Sequence, residues 1–169
     1  LDAPGHANYV PDMINGAAQA DVGVLVISAR RGEFEAGFER QGQTREHALL
    51  AKTLGIRKLI VAVNKMDEPT ALDPDGKWNK QRYDTILTKL KPFLRKKCGF
   101  AVRKDCYFLP MAGITGENLK DRVSKENCSW YNGPSLLELL DTIPVSSADA
   151  DAPLRVPVCL NHYFEYINS

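Results

Sequence analysis

Two continuous apolar runs, Val22-Gly-Val-Leu-Val-Ile-Ser28 and Leu59-Ile-Val-Ala-Val63, constrain this chain more than any other feature. Each has strand length and neither alternates with polar residues, so each must be covered on both faces, the condition of an interior strand in a parallel sheet. Helical spacing fills the intervals. Val10, Met13, Ile14, Ala17 and Ala18 precede the first run and predict a helix ending near Asp21. Between the runs, Ala29 to Gly42 reads as a loop. Thr44 then stands as the cap of a helix whose His47, Leu50, Ala51 and Leu54 share one face and which Gly55 ends. Beyond them, Tyr83, Ile86, Leu87, Leu90 and Leu94 predict an amphipathic helix kinked by Pro92. Cys106 to Pro110 reads as a third strand and Leu136 to Ile143 as a last helix. Alternating strands and helices require an α/β fold, with a mostly parallel sheet, right-handed crossovers and helices on both faces.

The 169 residues, 44% hydrophobic, suffice for one ordinary core. Twenty-two basic residues against twenty-one acidic ones give no global field of the kind that coats DNA or an anionic membrane. Cys98, Cys106, Cys128 and Cys159 form no C-x-x-C pair and have no histidine at metal spacing, which suits a reducing cytoplasm. No apolar run approaches the roughly 18 residues of a membrane span.

Two segments carry chemistry. Asp2-Ala-Pro-Gly5-His6 falls where a strand would end and a helix begin. A carboxylate there can hold Mg²⁺ through water, a glycine amide can approach a terminal phosphate, and an imidazole can orient a water. A bare strand-to-helix turn accounts for the same five residues equally well. Asn64-Lys65-Met66-Asp67 follows the second run, at the strand end where α/β sheets bind ligands. Asp67 can accept two hydrogen bonds from the ring N–H and exocyclic amine of guanine. The Asn64 amide can bond the base and neighbouring loops, and the Lys65 stem can cover a ring face. Adenine would leave such a carboxylate unpaired. A polar loop after a strand is the plainer account of the four residues alone; the order of the two segments, with helix–strand–loop–helix–strand between them, favours nucleotide binding.

On these motifs, together with Gly16-Ala-Ala-Gln-Ala-Asp21, Val26-Ile-Ser-Ala-Arg-Arg-Gly-Glu-Phe-Glu35 and Gly42-Gln-Thr-Arg-Glu-His47, the chain resembles the translational GTPases from Leu1 to about Pro157. Gly37-Phe-Glu-Arg40, Asp67-Glu-Pro-Thr70, Lys89-Leu-Lys-Pro-Phe-Leu94, Gly116-Glu-Asn-Leu-Lys120 and Trp130-Tyr-Asn-Gly-Pro134 are most similar to the eukaryotic class-2 release-factor branch. Elongation factor one-alpha and the rescue GTPase that partners pelota are related to it.

The resemblance implies a P-loop NTPase-type G domain that binds GTP or GDP and Mg²⁺, and a monomeric cytoplasmic protein that acts with a class-1 release factor on the ribosome. It makes Asp2 the residue near magnesium, Gly5 the γ-phosphate contact and His6 the residue that positions the hydrolytic water. Asn64, Lys65 and Asp67 become the guanine readers. The last family loop falls at Ala112-Gly113-Ile114, where Ala112 replaces the customary serine and the Gly113 amide is expected to reach the guanine carbonyl oxygen.

No G-x-x-x-x-G-K-[ST] occurs in the chain, and no switch threonine precedes Asp2. The expectation is therefore of a G domain without its phosphate loop, with an exposed apolar sheet edge and no GTP turnover by the chain alone. Residues 1–145 are expected to be a partial G domain, 146–153 a linker, and 154–169 the start of a β-barrel domain ending in an atypical tail. An elongation or rescue factor is the rival within the family; a truncated paralogue serving as an interaction module is the rival outside it. Arg95-Lys-Lys97 with Arg103-Lys104 forms a local basic cluster, read as a solvated helix end rather than an RNA contact. Trp130-Tyr131 is read as a packing anchor for the last helix.

Overall fold

The computed structural model describes residues 20–39 and 42–144. The helix expected from Val10 and the linker and barrel segments expected after residue 145 lie outside them.

The two apolar runs form β1 (Val22–Ser28) and β2 (Lys58–Asn64), and the third strand is β3 (Cys106–Pro110). They make a parallel sheet in the order β1-β2-β3, with Leu25 opposite Val61 and Val61 opposite Phe108. Side-chain alternation sorts β2 between two cores. Leu59, Val61 and Val63 face one, and Ile60 and Ala62 the other, all at most 1% exposed. Full burial of both faces is what the uninterrupted apolar run required.

The first core is closed by α3 (Lys80–Lys96), whose Tyr83, Ile86, Leu87, Leu90 and Leu94 are all buried. Asn79 caps this helix by accepting a hydrogen bond from the Arg82 amide at 2.6 Å. The helix runs on through the exposed Pro92 as one element. The opposite core is closed by α5 (Leu136–Thr142) through Leu139 and the following Ile143. Ser135 and Glu138 form a reciprocal capping box that starts α5. Helices therefore lie on both faces of the sheet, as expected. β1 is an edge strand of the described sheet, with Val24 43% and Val26 57% exposed.

Two local expectations are corrected. The segment read as a loop from Ala29 contains α1 (Glu33–Phe38), whose Phe34 is buried and stacks on Phe38 at 5.3 Å. α1 opens at Gly32, with φ of 85°, and the Glu35 carboxylate accepts a hydrogen bond from the Gly32 amide at 2.7 Å. The helix after it, α2 (Gln43–Thr53), is capped by Gly42 rather than Thr44; Ala48 and Ala51 are its buried residues, and His47 and Leu50 are half-buried. A further short helix, α4 (Val102–Asp105), leads into β3.

Tyr83 of α3 meets the Trp130 ring at 5.1 Å, and the Trp130 indole N–H donates to the Trp78 carbonyl at 2.8 Å. Tyr131 donates to the Pro134 carbonyl just before α5. The pair is a packing anchor, bridging α3 to the start of α5. Cys98, Cys106 and Cys128 are free and buried.

Candidate functional site

Asn64 is the last residue of β2, and its side chain joins two loops. Its Oδ1 accepts hydrogen bonds from the Lys65 amide at 2.7 Å and from the Gly113 amide at 2.8 Å, so one carbonyl oxygen fastens the 64–67 loop to the 112–114 loop. Backbone bonds reinforce the junction, Met66 N–H to the Met111 carbonyl and Met111 N–H to the Val63 carbonyl. A Cβ on Gly113 would stand 3.2 Å from Asn64 Oδ1, which explains a glycine at this approach. The Gly113 amide thus donates within the protein rather than standing free for a ligand.

The 112–114 loop is built without the missing serine hydroxyl. Ala112 is buried, its N–H donates to the Glu117 carbonyl at 3.0 Å, and its carbonyl accepts from the Gly116 amide at 2.9 Å. Asn118 braces the turn from below. It is fully buried with φ of 60°, its Nδ2 donates to the Pro110 carbonyl at 2.6 Å, and its Oδ1 accepts from the Val123 amide at 3.2 Å. Asparagine is among the few residues that tolerate this left-handed conformation. Ile114 projects from the loop at 94% exposure.

Lys65 also has positive φ, 62°, and its ammonium pairs with Glu33 at 2.8 Å. The same Glu33 oxygen accepts from the Ser28 hydroxyl at 2.7 Å, while Arg30 reaches the other oxygen at 3.2 Å. The Lys65 bond first, and then the Ser28 bond, hold the Glu33 carboxyl down at about 2. Arg30 also pairs with Glu68 at 3.3 Å, and Glu68 accepts from the Thr70 amide.

Asp67 is half-buried, and its carboxylate has no hydrogen-bonding partner among the described residues. Asp67 and Asn64, three positions apart in one loop, leave an acceptor and an amide at the carboxyl end of the parallel sheet. That set matches the donor-bearing edge of a guanine ring.

Asn64, Lys65, Asp67, Ala112, Gly113 and Ile114 are therefore brought together on two joined loops. Asp2, Gly5 and His6 lie outside the described residues. Glu33, Arg30 and Asn118 were not singled out from the sequence. The Gly116-Glu-Asn118 turn carried a signal, an asparagine just past a glycine in a loop; Glu33 carried none, since its role depends on Lys65, 32 positions away.

Comparison with known proteins identifies the family. The profile of the elongation factor Tu GTP binding domain matches residues 1–146. The eukaryotic peptide chain release factor GTP-binding subunit of Schizosaccharomyces pombe is 54% identical over 158 residues, covering 94% of this chain and 23% of that protein. Its counterpart from Candida albicans is 55% identical over 158 residues, with 94% and 21% covered. The chain thus spans about a quarter of the length of these relatives. Among solved structures, sup35 complexed with GDP superposes with a TM-score of 0.70 at 53% identity, over 85% of this chain and 31% of that one. The Ski7 GTPase-like domain of S. cerevisiae, bound to GDP and inorganic phosphate, gives 0.64 at 26% identity, over 82% and 29%. A parallel sheet that presents Asn64, Lys65 and Asp67 at its carboxyl end, with this profile match, places the chain in the elongation factor Tu GTP-binding-domain family.

Proposed function

We propose that this chain supplies the guanine-reading part of a GTP-binding domain, and that the protein containing it hydrolyses GTP during translation termination, with a class-1 release factor on the ribosome. The observation that carries the reading is the half-buried Asp67 carboxylate, unpartnered among the described residues beside an Asn64 amide already committed to fixing the loops. Guanine offers two adjacent donors to such a carboxylate. Lys65, steered by Glu33, lays its stem over a ring face. Identity of 54% to a named release-factor GTP-binding subunit supports the termination branch.

Bound GTP and Mg²⁺ supply the phosphoryl chemistry. Among the described residues no cluster of His, Cys, Asp or Glu is placed to hold a metal. By the sequence pattern of Asp2-Ala-Pro-Gly5-His6, Asp2 would hold Mg²⁺ through water, with Gly5 at the γ-phosphate and His6 at the hydrolytic water. No helix of the described residues is long and apolar enough to cross a membrane. A cytoplasmic location accords with three buried free thiols.

The test is Asp67→Asn in the full-length protein, with displacement of a fluorescent GDP by GDP and by XDP. Two hydrogen bonds to a charged acceptor, each worth about 1.5–3 kcal/mol, imply a loss of GDP affinity of at least about 100-fold. XDP, which carries a carbonyl in place of the exocyclic amine, should gain affinity, because the asparagine amide donates where the aspartate accepted. GDP affinity within about threefold of the parent, with no gain for XDP, would remove Asp67 from the base and the reading with it.

A further inference from the structure

Residues 89–104 carry seven lysines and arginines and no carboxylate, in a chain whose formal net charge is only +1. Four of the seven line an open groove of about 880 Å³: Lys91 and Arg95 from α3, Arg103 and Lys104 from α4. Its floor includes Pro92 and Phe108, and the Lys91 ammonium stands 4.9 Å from the centre of the Phe108 ring. All four cations are exposed, and none makes an ion pair among the described residues. The nearest acid in sequence, Asp105, is already engaged by Lys58 at 3.1 Å.

The end of α3 attracts cations through its dipole, which accounts for Arg95 but not for Arg103 and Lys104 on the far bank. Four cations facing one another across an apolar floor repel, and a concave low-dielectric wall concentrates their field. A ligand with regularly spaced negative charges relieves that repulsion and gains by counterion release. Lys91 and Arg95 lie one turn, about 6 Å, apart along the helix, so both point to the same side. The part-exposed Phe108 ring and the Pro92 ring give a flat apolar surface against which a base can stack.

The geometry points to an RNA-binding groove that takes the sugar-phosphate backbone of one strand between α3 and α4, with a base against Phe108. It lies away from the guanine site. Lys58 and Cys106 open β2 and β3 at this end, whereas Asn64 and Pro110 close them at the other, about 20 Å away for a seven-residue strand. RNA in the groove leaves the guanine loops uncovered.

The test is fluorescence anisotropy of a labelled single-stranded oligouridylate titrated with the full-length protein across a range of KCl concentrations. Arg95→Glu combined with Arg103→Glu is expected to weaken binding at least about tenfold at low salt and to reduce the slope of log K against log salt by about two. Fluorescent GDP binding of the same variant reports folding and is expected to be unchanged. Lys91→Gln with Lys104→Gln, which removes charge without reversing it, is expected to lower the slope by a similar amount and decides the matter if the reversal variant loses GDP binding. An RNA affinity and slope unchanged in both variants overturns the proposal. So does displacement of the RNA by a polyglutamate peptide at lower concentration than by unlabelled oligouridylate, which would mark the groove as a site for an acidic protein segment.

Discussion

Replacing Arg82 by methionine tests how α3 holds α1 and the loop that joins it to β1. Among the described residues Arg82 is the only charged side chain in the buried class, at 8% exposure. Its Nε donates to the Ala29 carbonyl at 2.7 Å and its Nη2 to the Arg30 carbonyl at 3.1 Å. Nη1 and Nη2 also grip the Glu35 carboxylate at 2.7 and 3.3 Å. Methionine keeps the stem and deletes all four bonds. Ala29 is fully buried, so its carbonyl loses a partner that water does not replace, a cost of about 1–3 kcal/mol. The Glu35 side chain is 36% exposed and rehydrates in part, so its loss is well below that of a fully buried pair. With about 1 kcal/mol recovered from the added apolar contact, a net loss of about 2–4 kcal/mol is expected, a large share of a typical domain stability of about 5–15 kcal/mol. Urea unfolding followed by circular dichroism measures it. The pH dependence gives a second reading. Arg82 holds the Glu35 carboxyl at about 2, below its usual 4.5. A depressed carboxyl stabilises the fold above its unfolded value and loses that contribution as pH falls through the folded one. The gap between wild type and Arg82→Met should therefore be constant above about pH 5 and narrow as pH falls from 4.5 towards 2. A loss under about 1 kcal/mol, with a gap that does not change with pH, would refute the claim that this arginine ties α3 to the loop.

Three further expectations follow from single residues. Asn118→Ala should cost about 3–5 kcal/mol, from two buried groups left unpaired and a left-handed backbone imposed on alanine; Asn118→Gly should recover about 1 kcal/mol of it, and equal losses in urea melts would contradict the backbone component. Glu33→Gln releases the Lys65 ammonium and should speed GDP dissociation in stopped-flow, by less than about tenfold because the pair is exposed; an unchanged rate would mean that Glu33 does not position Lys65. Burial raises the Cys98 and Cys128 thiols and pushes Cys106 up to about 12, so these three should resist a thiol reagent at pH 8 until denaturant is added, and rapid labelling at any of the three in the native protein, located by peptide mass mapping, would contradict their burial.

The strands were legible because burial on both faces leaves a mark in the sequence. Val22–Ser28, Lys58–Asn64 and Cys106–Pro110 stand where the apolar runs are, and the buried face of α3 is the set Tyr83, Ile86, Leu87, Leu90 and Leu94 that its periodicity selects. The placement of Asn64 and Asp67 was legible because the end of a parallel strand fixes where the loop begins before any other part of the chain is placed.

Contacts distant in sequence were not legible. α1 has six residues and a glycine among them, too little for a helix to persist alone; it forms where Phe34 joins the core and Glu35 meets Arg82, 47 positions later. The same holds for Glu33 with Lys65 and for Asn64 with Gly113, 49 positions apart. Periodicity and local propensity record what a residue does for its own element, so the chain by itself determined the strands, the face of α3 and the position of the 64–67 loop. Which side chains lock that loop in place was decided only when the sheet set β1, β2 and β3 side by side, because each lock pairs Asn64 or Lys65 with a residue from the segment that follows a neighbouring strand.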